Sequence, residues 1–184
     1  VYFNPASFPA AFPLLLLWFI APEITLLLYR PRHKPVRPLD ADDRRFLRSL
    51  ARRTWLYFET FAGPQDNWLP PDNYQGAPYP ETAHRTSPTN IGMMMLSTAS
   101  AWDFGYLGAE ELAARTSNLY ATLDKLETHR GHFLNWYDTL SLQPLEPRYV
   151  SVVDSGNLAG CMIAYTSLPE ELSKVPAVEP QRWT

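Results

Sequence analysis

The chain has 184 residues, a net charge of −3 and a pI near 5.8, a balance that argues against nucleic acid as its main partner. Aromatics at 14% and 18 prolines are both high, which points to stiff and chemically busy connections. The single Cys161 excludes an internal disulfide, and its setting in AGCMIAY reads as a small buried core position.

The first element is FPAAFPLLLLWFIAPEITLLLY, Phe8 to Tyr29, long enough for a bilayer core that takes about 20 residues. Pro9, Pro13, Pro22 and Glu23 interrupt it. No basic region precedes it and no small-residue cleavage site follows, so a removable signal is not the reading. Arg30, Arg32, Lys34 and Arg37 come next, and basic residues flank the cytoplasmic end of membrane helices. A transmembrane helix with the remainder in the cytoplasm is therefore expected, and the lipid bilayer as a partner. The competing reading is a buried core helix; the basic flank favours the membrane.

Asp40 can cap a second helix in which Phe46, Leu47, Leu50, Thr54, Phe58 and Phe61 recur at helical spacing, until Gly63-Pro64 stops it. Its Arg44, Arg45, Arg48, Arg52 and Arg53 read as a solvated face, with contact to anionic lipid as the alternative. A third helix starts at SPTN: Ser87 is a good cap and Pro88 suits the first helical position. Ile91, Met94, Met95, Thr98 and Trp102 form its stripe, and Gly105 ends it. A fourth, AEELAARTSNLYATLDKLETH, turns Leu112, Leu119, Leu123 and Leu126 inward and ends near Gly131. A fifth starts at Ser155, capped by Asp154 or Ser155, with Leu158, Cys161, Met162 and Tyr165 on one side. RYVSVV, Arg148 to Val153, is the best candidate strand.

The connections Gly63 to Thr86 and Arg130 to Asp154 each exceed twenty residues, and connections that long in a compact domain are usually functional. If the helices alternate up and down, both connections open on one rim. One brings Trp68, Asp72, Asn73, Tyr74, His84 and Arg85; the other brings His132, Asn135, Trp136, Tyr137, Asp138 and Asp154, with Asn157 just beyond. Flat aromatic faces beside fixed donors and acceptors suit a sugar ring, because a site that pairs each hydroxyl rejects analogues that leave a buried group unmet. The bland reading is that the Asn and Asp residues build turns, and that Trp136 and Tyr137 plug the base of the rim. His129 and His132 have no third ligand at a diagnostic spacing, so no metal is expected, and no cofactor.

AHRTSPTNIGMMMLSTASAWDFGYLG, RGHFLNWYDT, PLEPRYVSVVDSGNLAG and FLRSLARRTWLYFETF…NWLPPDNYQ together resemble the bacterial cyclic β-1,2-glucan synthases, over roughly Leu39 to Leu168. The hydrophobic start is similar to the membrane stretch before that region. The resemblance implies a large inner-membrane enzyme that builds linear β-1,2-glucan from UDP-glucose and closes it by transglycosylation in a glycoamylase-like (α/α)6 domain. It implies an all-α fold with only part of the (α/α)6 toroid, preceded by a transmembrane helix. Residues 1–38 would be the membrane segment and basic linker, 39–168 the opening of the glycoamylase-like domain, and 169–184 an irregular tail. The partners implied are β-1,2-glucan and the rest of the synthase polypeptide.

Retaining transglycosylation needs two carboxyl groups about 5 Å apart. In the family these are glutamates in later motifs, and nothing here matches them. The rim residues are therefore expected to bind glucan, with no catalytic residue in this chain. The tail PEELSKVPAVEPQRWT departs from the family, and with the start at Val1 it favours a fragment of a longer protein. The alternatives are a membrane-tethered, non-catalytic glycan-binding protein and a non-functional truncated remnant.

Overall fold

A computed structural model describes residues 8–29 and 37–168. Arg30, Arg32 and Lys34 of the basic cluster, and the expected tail 169–184, lie outside the described residues. The chain divides into two compact units, one up to Asp40 and one from Ala41.

The first unit holds α1 (Phe8–Leu28), with Pro13 and Pro22 inside it and none of its residues buried. At about 1.5 Å per residue it reaches the thickness of a hydrocarbon core. By length and composition it can cross a bilayer.

The second unit is built on α2 (Ala41–Phe61), α3 (Pro88–Asp103), α4 (Ala109–Leu123) and α5 (Val152–Tyr165). On α2, Asp42 and Asp43 sit favourably in the first turn. Trp55 is its buried residue, whereas Phe46, Leu47 and Leu50 of the expected inward stripe are exposed. Periodicity identifies an apolar face but not which stretch of it meets a neighbour. Here the half around Trp55 packs on Ala101 and Leu107. The other half lines an open apolar groove with Met93, Leu96 and Phe104.

Ser87 caps α3, its hydroxyl accepting from the Asn90 N–H at 3.3 Å, and Pro88 occupies the first turn. Ile91, Met94, Met95, Thr98 and Trp102 are all buried. The helix ends in a Schellman arrangement: Gly105, at φ 74°, donates to Trp102 O and Tyr106 donates to Ala101 O.

The α4 helix stops at Leu123, earlier than the expected end near Gly131. Leu126 is still buried, but the chain then forms a hairpin, β4 (Thr128–His129) with β5 (His132–Phe133). Arg130 and Gly131 link the two strands with φ of 52° and 82°, the positive pair that a two-residue hairpin turn requires.

The expected strand at Arg148 to Val153 is not formed. Val152 and Val153 open α5, and its cap is Ser151 rather than Asp154 or Ser155. The Ser151 hydroxyl accepts from the Asp154 N–H at 3.1 Å, and Asp154 reaches back to that hydroxyl. This side-chain cap, with the Ser151 hydroxyl also bonded to the Asp154 carboxylate, outweighs the β-propensity of two valines.

α3 and α5 run parallel, since Thr89 meets Asp154 near their starts and Gly92 meets Leu158 and Cys161 one turn on. A Cβ on Gly92 would lie 2.9 Å from the Cys161 Sγ and 3.4 Å from the Leu158 Cα, so a side chain there would force the helices apart. Cys161 is free and only half-buried, at this contact rather than inside the core. The main core gathers Leu69, Ile91, Met95, Leu112, Leu119, Leu134, Tyr137 and Leu158. The described strands are all two residues long and form three antiparallel pairs. β1 (Tyr74–Gln75) pairs with β2 (Glu81–Thr82) inside the first long connection. β3 (Arg85–Thr86) pairs with β6 (Tyr137–Asp138) across the two connections.

Candidate functional site: a polar seam at the helix starts

The two long connections meet along β3–β6, where Arg85 faces Asp138 and Thr86 faces Tyr137. The Thr139 N–H extends the contact by donating to His84 O at 3.1 Å. A second clamp comes from the first connection. A 3-10 turn at Pro64–Asp66 is followed by Asn67 and Trp68 at φ of 52° and 62°. The Asn67 amide donates to Thr139 O at 2.8 Å and Leu140 O at 3.1 Å, and the Thr122 hydroxyl holds Asn67 O at 2.7 Å. Positive φ is costly for Trp68, and these fixed contacts are what make it tolerable.

Asp72, Asn73, Arg85 and Trp136 form one cluster. The Arg85 Nε and Nη2 donate to Asp72 Oδ2 at 3.2 and 3.0 Å, and Asn73 Nδ2 joins them at 3.1 Å. Asn90, at the start of α3, donates to Asp72 Oδ1 at 3.3 Å. The Arg85 guanidinium lies 5.2 Å from the centroid of the Trp136 ring, within cation–π range.

A second cluster is built on Asp154. It accepts from the Thr89 hydroxyl at 2.6 Å and from Ser151, while Asn157 Nδ2 donates to the Thr89 hydroxyl at 3.1 Å. Asn135 is buried, and its neighbours orient its amide. The nitrogen donates to Asp154 Oδ2 at 3.0 Å; the oxygen accepts from the Tyr149 hydroxyl at 2.8 Å and Trp136 Nε1 at 2.6 Å. Trp136 thus joins the two clusters. Burial pushes the Asp154 carboxyl up, but the hydrogen bonds from Ser151 and Thr89 together outweigh it and hold the group below the usual range.

The remaining expected residues stand elsewhere or work internally. Trp68 packs inward beside Arg115, whose guanidinium lies 5.9 Å from that ring and 5.4 Å from Trp55. Tyr137 is fully buried; its hydroxyl donates to Glu127 O and accepts from the Leu134 N–H, each at 2.6 Å, and burial raises its pKa. Asp138 closes its own turn, accepting from the N–H groups of Leu140 and Ser141 at 3.0 and 2.7 Å and from the Ser141 hydroxyl at 2.8 Å. The Ser141 N–H is the main reason its carboxyl lies below the ordinary value, against the opposing effect of burial. Tyr74 stacks on Phe61 at 4.9 Å. His132 is exposed on β5 beside a separate hollow lined by Pro88, Phe133, Leu158 and Met162.

The carboxylates therefore organise the seam, and the exposed side chains Arg85, Asn73, His84, Tyr149 and Asn157 are the groups free to meet a ligand. Asp66 and Thr139, absent from the sequence reading, hold His84: its Nδ1 lies 2.7 Å from Asp66 Oδ1, which also accepts from the Thr139 hydroxyl. Nothing in a Gly-Pro-Gln-Asp turn marked Asp66. The Thr89 and Asn90 contacts lay within SPTN, a stretch that speaks only of a helix cap. Among the described residues, no three His, Cys, Asp or Glu side chains gather to hold a metal ion.

No family profile matches the chain. Over 135 residues it is 52% identical to the cyclic β-(1,2)-glucan synthase NdvB of Rhizobium meliloti; the match takes in 73% of this chain and 5% of that protein. In structure it resembles a glucoamylase-like protein of Bacteroides fragilis, with a TM-score of 0.60 at 20% identity over 77% of this chain and 37% of the other. A glucoamylase-like protein of Bacteroides caccae matches with a TM-score of 0.58 at 22% identity, over 66% and 31%. The helices of the second unit are thus arranged as in glucoamylase-like proteins, and the chain spans a small part of the proteins it matches.

Proposed function

We infer that this chain is a section of a cyclic β-1,2-glucan synthase, and that its seam forms part of the wall gripping the glucan while a glucoamylase-like domain closes it into a ring. Residues 1–38 are the membrane segment and its linker, and residues 39–168 open the cyclising domain. The membrane is the bacterial inner membrane, with the residues after about 30 on the cytoplasmic side, because the basic flank follows α1. The catalytic carboxylates belong to other parts of the synthase. The observation that carries the glucan reading is the cluster of Arg85, Asp72 and Trp136, where a guanidinium and an indole stand side by side at the junction of two connections.

The test uses the full-length synthase. Arg85→Gln and Trp136→Ala are expected to reduce the yield of cyclic glucan about tenfold while linear glucan still accumulates, as a lost hydrogen bond or stacking contact would cause. Mass spectrometry of the glucan products distinguishes rings from chains. Unchanged ring formation in both variants would overturn the assignment.

A further inference from the structure

We propose that Asp66 is the positioning residue of His84, and that with Thr139 it turns the His84 Nε2 outward to accept a hydrogen bond from a hydroxyl of the glucan. The proposal rests on the glucan reading for its ligand, though not for its geometry.

Asp66 is 5% exposed, and a carboxylate so placed needs internal donors in place of water. It has two, the His84 Nδ1 at 2.7 Å and the Thr139 hydroxyl, both on Oδ1. Its own backbone is held on either side. Asp66 N donates to Gly63 O at 3.2 Å, and the following Asn67 is clamped to Thr139, Leu140 and Thr122. The His84 backbone is held in turn by the Thr139 N–H. The backbones that carry the carboxylate and the ring are thus both fixed.

The His84 side chain is nevertheless 41% exposed. With Nδ1 against the carboxylate, the neutral ring carries its proton there and leaves a lone pair on Nε2. No partner for Nε2 occurs among the described residues. The chemistry of the seam gives that lone pair a use. A sugar hydroxyl both donates and accepts, and Arg85 supplies donors, while Asp72, Asp138 and Asp154 are taken up by internal hydrogen bonds. A polymer repeats its hydroxyls along its length, so contacts spaced along one seam suit it better than a single closed pocket.

The experiment reads the tautomer and the affinity separately. The whole chain is labelled with 15N-histidine and studied in alkaline buffer, with His84 assigned by its loss in His84→Gln. Long-range 1H–15N correlations are expected to place the proton on Nδ1 in the native chain, and to show a substantial shift toward Nε2 in Asp66→Asn. Binding of linear β-1,2-glucan is expected to weaken about tenfold in Asp66→Asn and in His84→Gln, with the double variant no weaker than either, because all three lose the same hydrogen bond. Thr139→Val should shift both readouts in the same direction by less, and it carries the test if Asp66→Asn fails to fold. An unchanged tautomer overturns the positioning role. A changed tautomer with unchanged affinity overturns the assignment of Nε2 to the glucan. A native chain that binds no linear β-1,2-glucan overturns the glucan reading itself, and in that case a tautomer that still follows Asp66 upholds the positioning role.

Discussion

Asp138 and Asp72 stand in different connections and use their charge differently. Asp138 directs its carboxylate into the backbone of residues 140 and 141, which holds it ionised below its usual pKa; Asp72 fastens Arg85, Asn73 and Asn90 together. A carboxyl whose folded pKa is depressed contributes stability that is fully present above its unfolded value of about 3.9 and is lost as the pH falls through the folded value. Asp138→Asn keeps an acceptor oxygen for the turn but removes the charge. The variant should melt slightly lower than the native chain at neutral pH, by about 2–4 °C at most for a group this accessible. The gap should begin to narrow below about pH 3.9 and close as the pH falls through the depressed folded value, where the native carboxyl is also protonated. Melting curves across pH check this, and a gap that stays constant into acid would refute it. The residue types at these positions were readable as turn formers or sugar ligands. Which of the two each one is depended on where neighbouring N–H groups point, and residue type does not encode that.

Among the elements, the parallel contact of α3 and α5 sets the seam, because it brings Thr89 beside Asp154 and Asn157. Gly92 permits that contact. Replacing a helical Gly by Ala ordinarily gains about 1 kcal/mol in helix propensity. At Gly92 the new Cβ would meet Cys161 at 2.9 Å and the Leu158 backbone at 3.4 Å, and overpacking of that kind typically costs about 1–3 kcal/mol. Gly92→Ala should therefore destabilise the chain, and Cys161→Ala in the same molecule should restore part of the loss by removing the nearest atom. Urea titration of the single and double variants measures both effects; a stabilised Gly92→Ala would contradict the packing argument. The start of α3 was plain from Ser87-Pro88 because a cap is a local matter. The start of α5 lies earlier than the sequence suggests, although Ser151 and Asp154 have capping-box spacing, because Val150, Val152 and Val153 resemble a strand by propensity.

For the molecule as a whole, the consequence of a partial toroid is exposed apolar surface. Phe46, Leu47, Leu50, Met93 and Phe104 are each 45% exposed or more, and most of them border one groove between α2 and α3. Neighbouring apolar side chains left in water favour association. The isolated second unit should sediment as a mixture of oligomers and bind a hydrophobic dye, and Leu50→Lys with Phe104→Lys should reduce both. A monomeric, dye-silent native chain would speak against an exposed groove. Sequence alone determined the helical class, the apolar first helix, the stripe of α3 and the family resemblance, since each depends on local spacing or on a long continuous match. Only the tertiary structure decided that Trp68 and Tyr137 face inward, that the N-terminal half of α2 is uncovered, and that a buried Asp66 holds His84. Those outcomes depend on which distant segments pack together, and contacts such as Asp66 with Thr139 join positions too far apart in the chain for any local pattern to record.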